Sequence, residues 1–199
     1  MNRLMAWLVR EWPYAGFLAG VLLLALFPLW VYGMGLALAL VYVQLPAYML
    51  HQLEEHAGDR FRRFVNDSIG GGREVLTPQA TLWINVLGVW VVNLVALYLA
   101  AYISLGVGLI SVYLIMVNAV AHAAGALVLR SYNPGLWTGL FLFLPLGALS
   151  LYEITTSGAG LWAHVLGILV AVAIHAAIVV HVRRRLGALP VRSSDARTW

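Results

Sequence analysis

The residues of this chain most suited to chemistry lie in one short stretch, HQLEEH, at residues 51–56. The stretch ends an apolar run in a chain that has only eight acidic residues and six histidines. Ionisable groups inside a membrane segment, or at its edge, are costly and usually mark a functional site. In a helix, His51, Glu54 and Glu55 share one face, whereas His56 points about 140° away from His51. Three such groups on one face favour a metal site or a proton relay.

The composition predicts the elements that must position these groups. The chain has 199 residues, 62% of them hydrophobic and 10% charged, with a mean hydropathy of +0.87. This lies far outside the range of soluble proteins and predicts an all-α, polytopic membrane helix bundle that forms one domain over residues 1–199. Long apolar runs, instead of alternation, argue against a membrane barrel. The chain has no cysteine, so any metal would be held by imidazole, carboxylate or water.

Six transmembrane helices are predicted, at residues 13–30, 34–55, 79–103, 109–129, 134–152 and 161–182. An amphipathic lead precedes the first helix, with Trp7 and Trp12 as interface anchors. The first apolar run is too long for a signal peptide, so we expect it to be a retained span. A tight turn is expected at Tyr32-Gly33.

Two residues are predicted to cap helices: Thr77, followed by Pro78, for the third span, and Asn133 for the fifth. Between the second and third spans lies the one sizeable polar loop, at residues 57–78, whose arginines alternate with aromatic residues as in an interfacial segment. Residues 183–199 form a basic tail that we expect to be disordered.

The positively charged residues predict the orientation. All twelve are arginines, and each precedes the first span or follows the second, fourth or sixth. The positive-inside rule then places both termini in the cytoplasm. The net charge of +4 therefore reflects topology and contact with anionic lipid headgroups rather than nucleic-acid binding. We expect an integral protein of the bacterial cytoplasmic (inner) membrane whose partners are membrane lipids.

Three histidines are predicted to lie at one depth. His51, His122 and His175 each precede the first arginine after their span by eight or nine residues. At a rise of ~1.5 Å per residue, each stands ~12 Å above that arginine. We therefore expect a pocket between the second, fourth and sixth spans that opens to the cytoplasmic side. This equal depth is the only observation that supports His175 as part of the pocket.

The remaining histidines have plainer interpretations. His164 lies near the opposite membrane face and is expected to be a hydrogen-bond partner between helices. His56 and His181 lie at the membrane boundary and are expected to be solvated.

Three short motifs together carry a family resemblance. They are His51-xx-Glu54-Glu55, Asn118-xxx-His122 and Tyr132-x-Pro134-Gly135. In this order they resemble the motifs of a family of uncharacterised membrane proteins named for HxxEE. The resemblance covers residues 48–138 and implies that these positions act together, but it brings no established activity. The paired glutamates are also similar to those of membrane-embedded prenyl-processing proteases, although the downstream arginine and the order of the Asn-xxx-His motif differ.

The candidate site combines ligands, catalytic groups and substrate-binding groups. The candidate metal ligands are His51, Glu54, Glu55, His122 and His175. Glu54 and Glu55 are also the catalytic candidates, one as a ligand and the other as a general base. The substrate-binding candidates are Asn118, Arg130, Tyr132 and Asn133, the last three near a helix N-terminus that suits a phosphate or carboxylate.

The preferred hypothesis is a metal-dependent membrane hydrolase that acts on a lipid-like substrate from the cytoplasmic leaflet. A divalent metal is expected, with zinc favoured over iron because two irons need more ligands than are placed here. Three alternatives remain open: a non-haem iron oxidoreductase, a metal-free acid/base isomerase, and a non-enzymatic protein that binds haem or metal.

Overall fold

The computed structural model describes residues 3–190, and every regular element in that range is helical. The α-helices are α1 (Arg3–Leu24), α2 (Phe27–Met34), α3 (Leu36–Tyr42), α4 (Gln44–His56), α5 (Arg60–Ser68), α6 (Pro78–Asn85), α7 (Val92–Tyr102), α8 (Leu109–Leu129), α9 (Leu136–Thr138), α10 (Leu144–Thr156) and α11 (Leu161–Ala188). Short 3₁₀ turns lie at Ala57–Asp59 and Leu105–Gly108, and π-helical turns at Val86–Val91 and Gly139–Phe143. The all-α prediction is confirmed.

Five continuous helical segments are long and apolar enough to cross a membrane. They are Leu36–Ser68, Pro78–Tyr102, Leu105–Leu129, Leu136–Thr156 and Leu161–Ala188. The pair α1 and α2 makes a sixth candidate that is bent by 44°. Pro28 accounts for the bend, because its ring lacks an N–H and clashes with the carbonyl of Leu24, where α1 ends. The bundle therefore has six spans if the bent pair counts as one.

Helix α4 lies at the centre of the bundle. Ten of its 13 residues are buried, whereas at most 28% of the residues are buried in the most apolar windows of the other four continuous spans. Its polar residues are paired within the bundle: the Gln44 amide donates to Ser150 Oγ at 2.9 Å, and the Gln52 amide donates to Asn85 Oδ1 at 2.8 Å. Because an unpaired polar group in an apolar interior is costly, these bonds fix how α4 is oriented among its neighbours.

Helices α8 and α11 pack against each other at close range. A Cβ atom at Gly167 would lie 2.7 Å from the Tyr113 ring and 2.9 Å from the Leu109 carbonyl oxygen. Small residues allow such close approach between membrane helices. The contact places His122 of α8 and His175 of α11 on neighbouring helices.

The segments that carry most arginines meet at one end of the bundle. Arg62 pairs with Glu74 at 2.9 Å, and the Arg185 guanidinium donates to the Glu74 carbonyl at 3.5 Å. Beneath them, Val65 and Val182 belong to one apolar cluster. We call this end, formed by residues 57–77, 130–135 and 183–188, the arginine-rich end.

The N-terminal lead is not a separate element. Helix α1 runs without a break from Arg3 through Pro13, and Trp12 is buried against His56 and Trp90 instead of anchoring at the interface. Residues 1 and 2 lie outside the described residues.

Two further local predictions need correction and one is confirmed. The first turn occurs at Gly35, whose φ of 81° suits glycine, rather than at Tyr32-Gly33. The helical part of the predicted tail extends to Ala188 because Leu186 packs in the apolar cluster of the arginine-rich end; residues 191–199 lie outside the described part. Thr77 caps α6 as predicted, accepting from the Ala80 N–H at 3.2 Å.

The orientation of the bundle can be tested with topology reporters. Fusions after Gly35, Gly106 and Gly158 should report the outside, because all three lie at the end opposite the arginines. Fusions after Gly71 and Arg130 should report the cytoplasm. A cytoplasmic signal from any of the first three would contradict the orientation.

Candidate metal centre

Three buried side chains from two helices converge in the bundle. His51 and Glu55, one turn apart on α4, meet His122 of α8, and their ligand atoms all lie within 4.8 Å of one another. His51 Nε2 is 3.3 Å from Glu55 Oε2, and His122 Nε2 is 3.6 Å from Glu55 Oε1. The two imidazole rings stand 5.2 Å apart, centroid to centroid. The prediction that His51 and His122 lie together is confirmed.

Asn133 determines which nitrogen of His122 carries a hydrogen. The Asn133 amide nitrogen donates to the His122 carbonyl at 2.9 Å, which fixes the orientation of the amide. Its Oδ1 therefore faces His122 Nδ1, at 2.7 Å, and accepts the Nδ1–H. In the neutral ring, Nε2 then carries only a lone pair, directed at Glu55.

Thr138 determines which nitrogen of His51 carries a hydrogen. The Thr138 hydroxyl donates to Glu54 Oε2 at 2.5 Å, with the Gly135 carbonyl as a second acceptor at 3.4 Å. Its oxygen is therefore the acceptor for His51 Nδ1, at 2.7 Å. The neutral His51 ring is left with a bare Nε2, and that buried atom has no hydrogen-bond partner among the described residues.

Two nitrogen lone pairs and a carboxylate thus face one another in a buried site. Such groups repel unless a cation lies between them, and either a proton or a metal ion satisfies that need. Four ligands at zinc distances in a tetrahedron stand about 3.4 Å apart. The separations of 3.3 Å from Glu55 Oε2 and 3.6 Å from Glu55 Oε1 are close to that spacing, and all the ligand atoms lie within 4.8 Å of one another, so the three residues could hold a metal ion.

Glu54 lies outside this group, on the Nδ1 side of His51. Its two oxygens accept four hydrogen bonds, from the Tyr132 hydroxyl at 2.8 Å, the Trp137 N–H at 3.2 Å, and the N–H and hydroxyl of Thr138 at 2.7 and 2.5 Å. The carboxylate therefore holds the first turn of α9 against α4. Burial, together with the bond to Glu54, raises the pKa of Tyr132 to about 12.

Gly135 lets that turn approach the histidines. Its φ of 100° is a left-handed conformation that other residues adopt at a cost. A Cβ atom there would also lie 2.6 Å from His122 Cε1 and 2.9 Å from His51 Cε1. The YxPG segment therefore packs directly against both imidazole rings.

His56 is buried, which corrects the expectation of a solvated side chain. It packs between Trp12 and Phe61, with ring centroids 4.9 and 5.7 Å away, and its Nε2 is 3.1 Å from Glu55 Oε2. The helical angle did not reveal this contact, because His56 ends α4 and neighbours Glu55 directly. Its flanking aromatic residues come from α1 and α5, and sequence spacing does not relate them to it.

Two cavities lie on either side of His56, and His56 and Thr81 line both of them. One, of about 530 Å³, has the charged residues Arg10, Glu11 and Asp59 in its wall and contains none of the three converging residues. The other, of about 300 Å³, is apolar and lies between α4, α5, α6, α8 and α11. The walls of the apolar cavity include Glu55, His122 and, as predicted, His175.

The structure separates the other predicted site residues. His175 lies outside the three-residue ligand group, and its Nδ1 donates to the Ala171 carbonyl at 2.8 Å. Asn118 lines the apolar cavity, whereas Arg130 is exposed at the end of α8 with a φ of 50°. Asn133 is not the predicted helix cap, because Gly135 takes that position and the Asn133 side chain bonds His122 instead. His164 links helices as predicted, through the Tyr113 hydroxyl at 3.0 Å.

The comparison with protein families confirms the family predicted from the three motifs. A model described as "Protein of unknown function with HXXEE motif" matches residues 42–150, more than half of the chain. The chain belongs to the HXXEE family. No curated protein and no solved structure matches it significantly.

In this HXXEE protein the named motif divides into two parts. Its histidine and second glutamate belong, with His122, to the group that could hold a metal ion, and its first glutamate anchors the YxPG turn. Thr138, which joins the two parts, was missed from the sequence because an isolated threonine after a Gly-Leu-Trp run carries no pattern.

A substitution pair tests the close approach of Gly135. Gly158 has nearly the same φ, 103°, but open space around its Cβ position. Gly158→Ala should cost about 1–2 kcal/mol for the left-handed backbone. Gly135→Ala should cost clearly more, because it also displaces both imidazoles; thermal unfolding in detergent measures both. Equal losses would refute the role assigned to Gly135.

The Glu54 anchor predicts a change in the titration of Tyr132. In Glu54→Gln the negative charge is lost, so the Tyr132 pKa should fall from about 12 towards 10.0, while burial keeps it above that value. The raised pKa stabilises the fold below pH 10 and this contribution is lost as pH approaches 12. Ultraviolet tyrosinate titration, with Tyr132→Phe subtracted in each background, measures the shift; an unchanged pKa would contradict the contact.

Proposed function

We propose that this HXXEE protein is a metal-dependent membrane hydrolase that acts on a lipid-like substrate, with His51, Glu55 and His122 as the metal ligands. The observation that carries the proposal is the convergence of two bare Nε2 atoms on a buried carboxylate beside an apolar cavity. Two histidines and one glutamate, with one position left open, form a common catalytic zinc set. We place the protein in the bacterial cytoplasmic membrane, with the arginine-rich end inside.

The surrounding residues support a ligand role. Metal-binding histidines almost always donate their other N–H to an oxygen that fixes the ring. Asn133 provides that oxygen for His122 and Thr138 provides it for His51. When bound, zinc in such a site supplies Lewis acidity and makes water a nucleophile near neutral pH.

The two cavities suggest how substrate and water reach the centre. The apolar cavity, walled by residues such as Phe64, Ile174 and Ile178, suits the chain of a lipid. The larger cavity, with Arg10 and Asp59 in its wall, reaches His56, and we propose that it admits water or a headgroup. His56 lines both cavities and lies 3.1 Å from Glu55, so we assign it the transfer of protons during hydrolysis.

This assignment changes the role expected for Glu54. A carboxylate whose oxygens already accept four hydrogen bonds is poorly suited to remove a proton from water. We therefore propose Glu54 as a positioning residue that holds Thr138 against His51.

The ligand set favours an iron oxidoreductase as the alternative function, and the position of Glu55 argues against haem binding. Two histidines and one carboxylate are also the ligand set of non-haem iron oxygenases, so an iron oxidoreductase is the second candidate. Haem between His51 and His122 is disfavoured, because Glu55 lies within 3.3 and 3.6 Å of the nitrogens that would face the porphyrin.

Metal content of purified variants tests the proposal. His51→Ala, Glu55→Gln and His122→Ala should each lose the bound metal, because each removes a ligand. Glu54→Gln should retain it with affinity lowered by about 10–100-fold, as for the loss of a group that orients a ligand. His164→Ala, a membrane histidine bonded to Tyr113 and Thr155, is the matched control and should keep full metal.

The outcomes separate the hypotheses. Zinc without visible absorption supports hydrolysis, and iron without a haem spectrum supports oxidation. If all four site variants keep wild-type metal content and fold normally, the metal centre is wrong and the metal-free acid/base mechanism replaces it.

A further inference from the structure

The apolar cavity contains an acceptor that the protein leaves unpaired. Asn118 lies on α8 one turn before His122 and is about nine-tenths buried, with a relative exposure of 9%. Its Oδ1 is buried and has no hydrogen-bond partner among the described residues. Asn118 therefore brings to the wall of the apolar cavity an acceptor that the described part of the chain leaves unused.

His175 adds a second acceptor to the same cavity. Because its Nδ1 donates to the Ala171 carbonyl, Nε2 of the neutral ring carries a lone pair. His175 and Asn118 belong to the neighbouring helices α11 and α8, and both line the cavity. Most of the remaining lining is aliphatic or aromatic, including Leu114, Ile174 and Ile178.

From this pattern we infer that the cavity binds an apolar chain that carries a hydrogen-bond donor, either a hydroxyl or an amide N–H, and that Asn118 accepts the hydrogen bond from that donor. The inference rests on the proposed function and narrows its substrate class from lipids in general to lipids with a polar hydrogen within the chain. A plain hydrocarbon chain would cover Asn118 Oδ1 and leave it buried without a partner. The loss of that hydrogen bond is the basis of the selectivity.

The position of the donor follows from the helix. Asn118 lies four residues before His122, so its side chain is about 6 Å deeper in the bundle than the group formed by His51, Glu55 and His122. The donor should therefore lie a few bonds along the chain from the reacting end.

Binding of matched fatty acids tests the inference. The probes are myristate, its mono-hydroxylated isomers and N-undecanoylglycine, which has the same chain length and an amide N–H within the chain; each is measured by displacement of a fluorescent fatty acid from the full-length protein in detergent. One hydroxylated isomer, or the amide, should bind about tenfold more tightly than myristate. The preferred probe also decides between the hydroxyl and the amide donor. Equal binding of all probes to the wild-type protein overturns the inference without reference to any variant.

Variants assign the preference to Asn118. Asn118→Leu should bind myristate at least as well as the wild type and lose the preference for the donor-bearing probe. Asn93→Leu is the matched control: Asn93 is also a buried membrane asparagine with an unpaired Oδ1, but it does not line the cavity, so the preference should persist. A preference that survives in Asn118→Leu contradicts the assignment.

A metal-free background keeps this test separate from the proposed function. His51 does not line the apolar cavity, so His51→Ala should lose metal but keep the preference among probes. Loss of metal binding with an intact preference leaves this inference standing. Full metal binding in the wild type with no preference overturns the inference and leaves the proposed hydrolase intact.

Discussion

The rest of the structure depends on one electrostatic constraint, the burial of a carboxylate against two imidazole nitrogens that carry no hydrogen. Glu55 is 5% exposed and His51 is fully buried, at the centre of a bundle built mostly from apolar helices. An uncompensated charge in that setting costs several kcal/mol, and a proton or a metal ion between the three groups would remove that cost. Helix α4 carries two of the three groups, and the other spans enclose it. Its remaining polar residues are paired with neighbouring helices, which fixes the rotation of α4 and hence the direction of His51 and Glu55.

The turn that precedes α9 completes this arrangement from outside the helix. Glu54 binds the N–H groups of Trp137 and Thr138, and so holds the turn at the depth of the histidines. Thr138, in α9, sets the tautomer of His51; in the turn before it, Asn133 sets the tautomer of His122, and Gly135 leaves space for both rings. The three sequence motifs are thus parts of one contact: candidate ligands from α4 and α8, and a turn that orients them. Asn118 extends the contact into the apolar cavity.

Much of the fold could be predicted from the sequence, because hydropathy and arginine placement directly report membrane crossing. The meeting of His51 and His122 was also predictable, since equal distances from the arginines imply equal depth. The different positions of the Glu54 and Glu55 carboxylates were not predictable. Consecutive residues of a helix point in directions about 100° apart, and only the packed position of the YxPG turn decides which carboxylate it contacts. The same limit applies to His56, whose burial depends on Trp12 and Phe61 from other helices. His175 showed that equal depth does not imply convergence, because its ring is held by its own helix through the Ala171 carbonyl.

The central claim is that His51, Glu55 and His122 together bind one metal ion. X-ray absorption at the edge of the metal that purifies with the protein tests it most directly, because scattering from imidazole rings counts the histidine ligands. We expect the metal to have two imidazole ligands and additional oxygen ligands, and we expect its spectrum not to change in His175→Leu. Three imidazoles in the wild type, loss of one imidazole in His175→Leu, or a protein that retains no stoichiometric metal would contradict it.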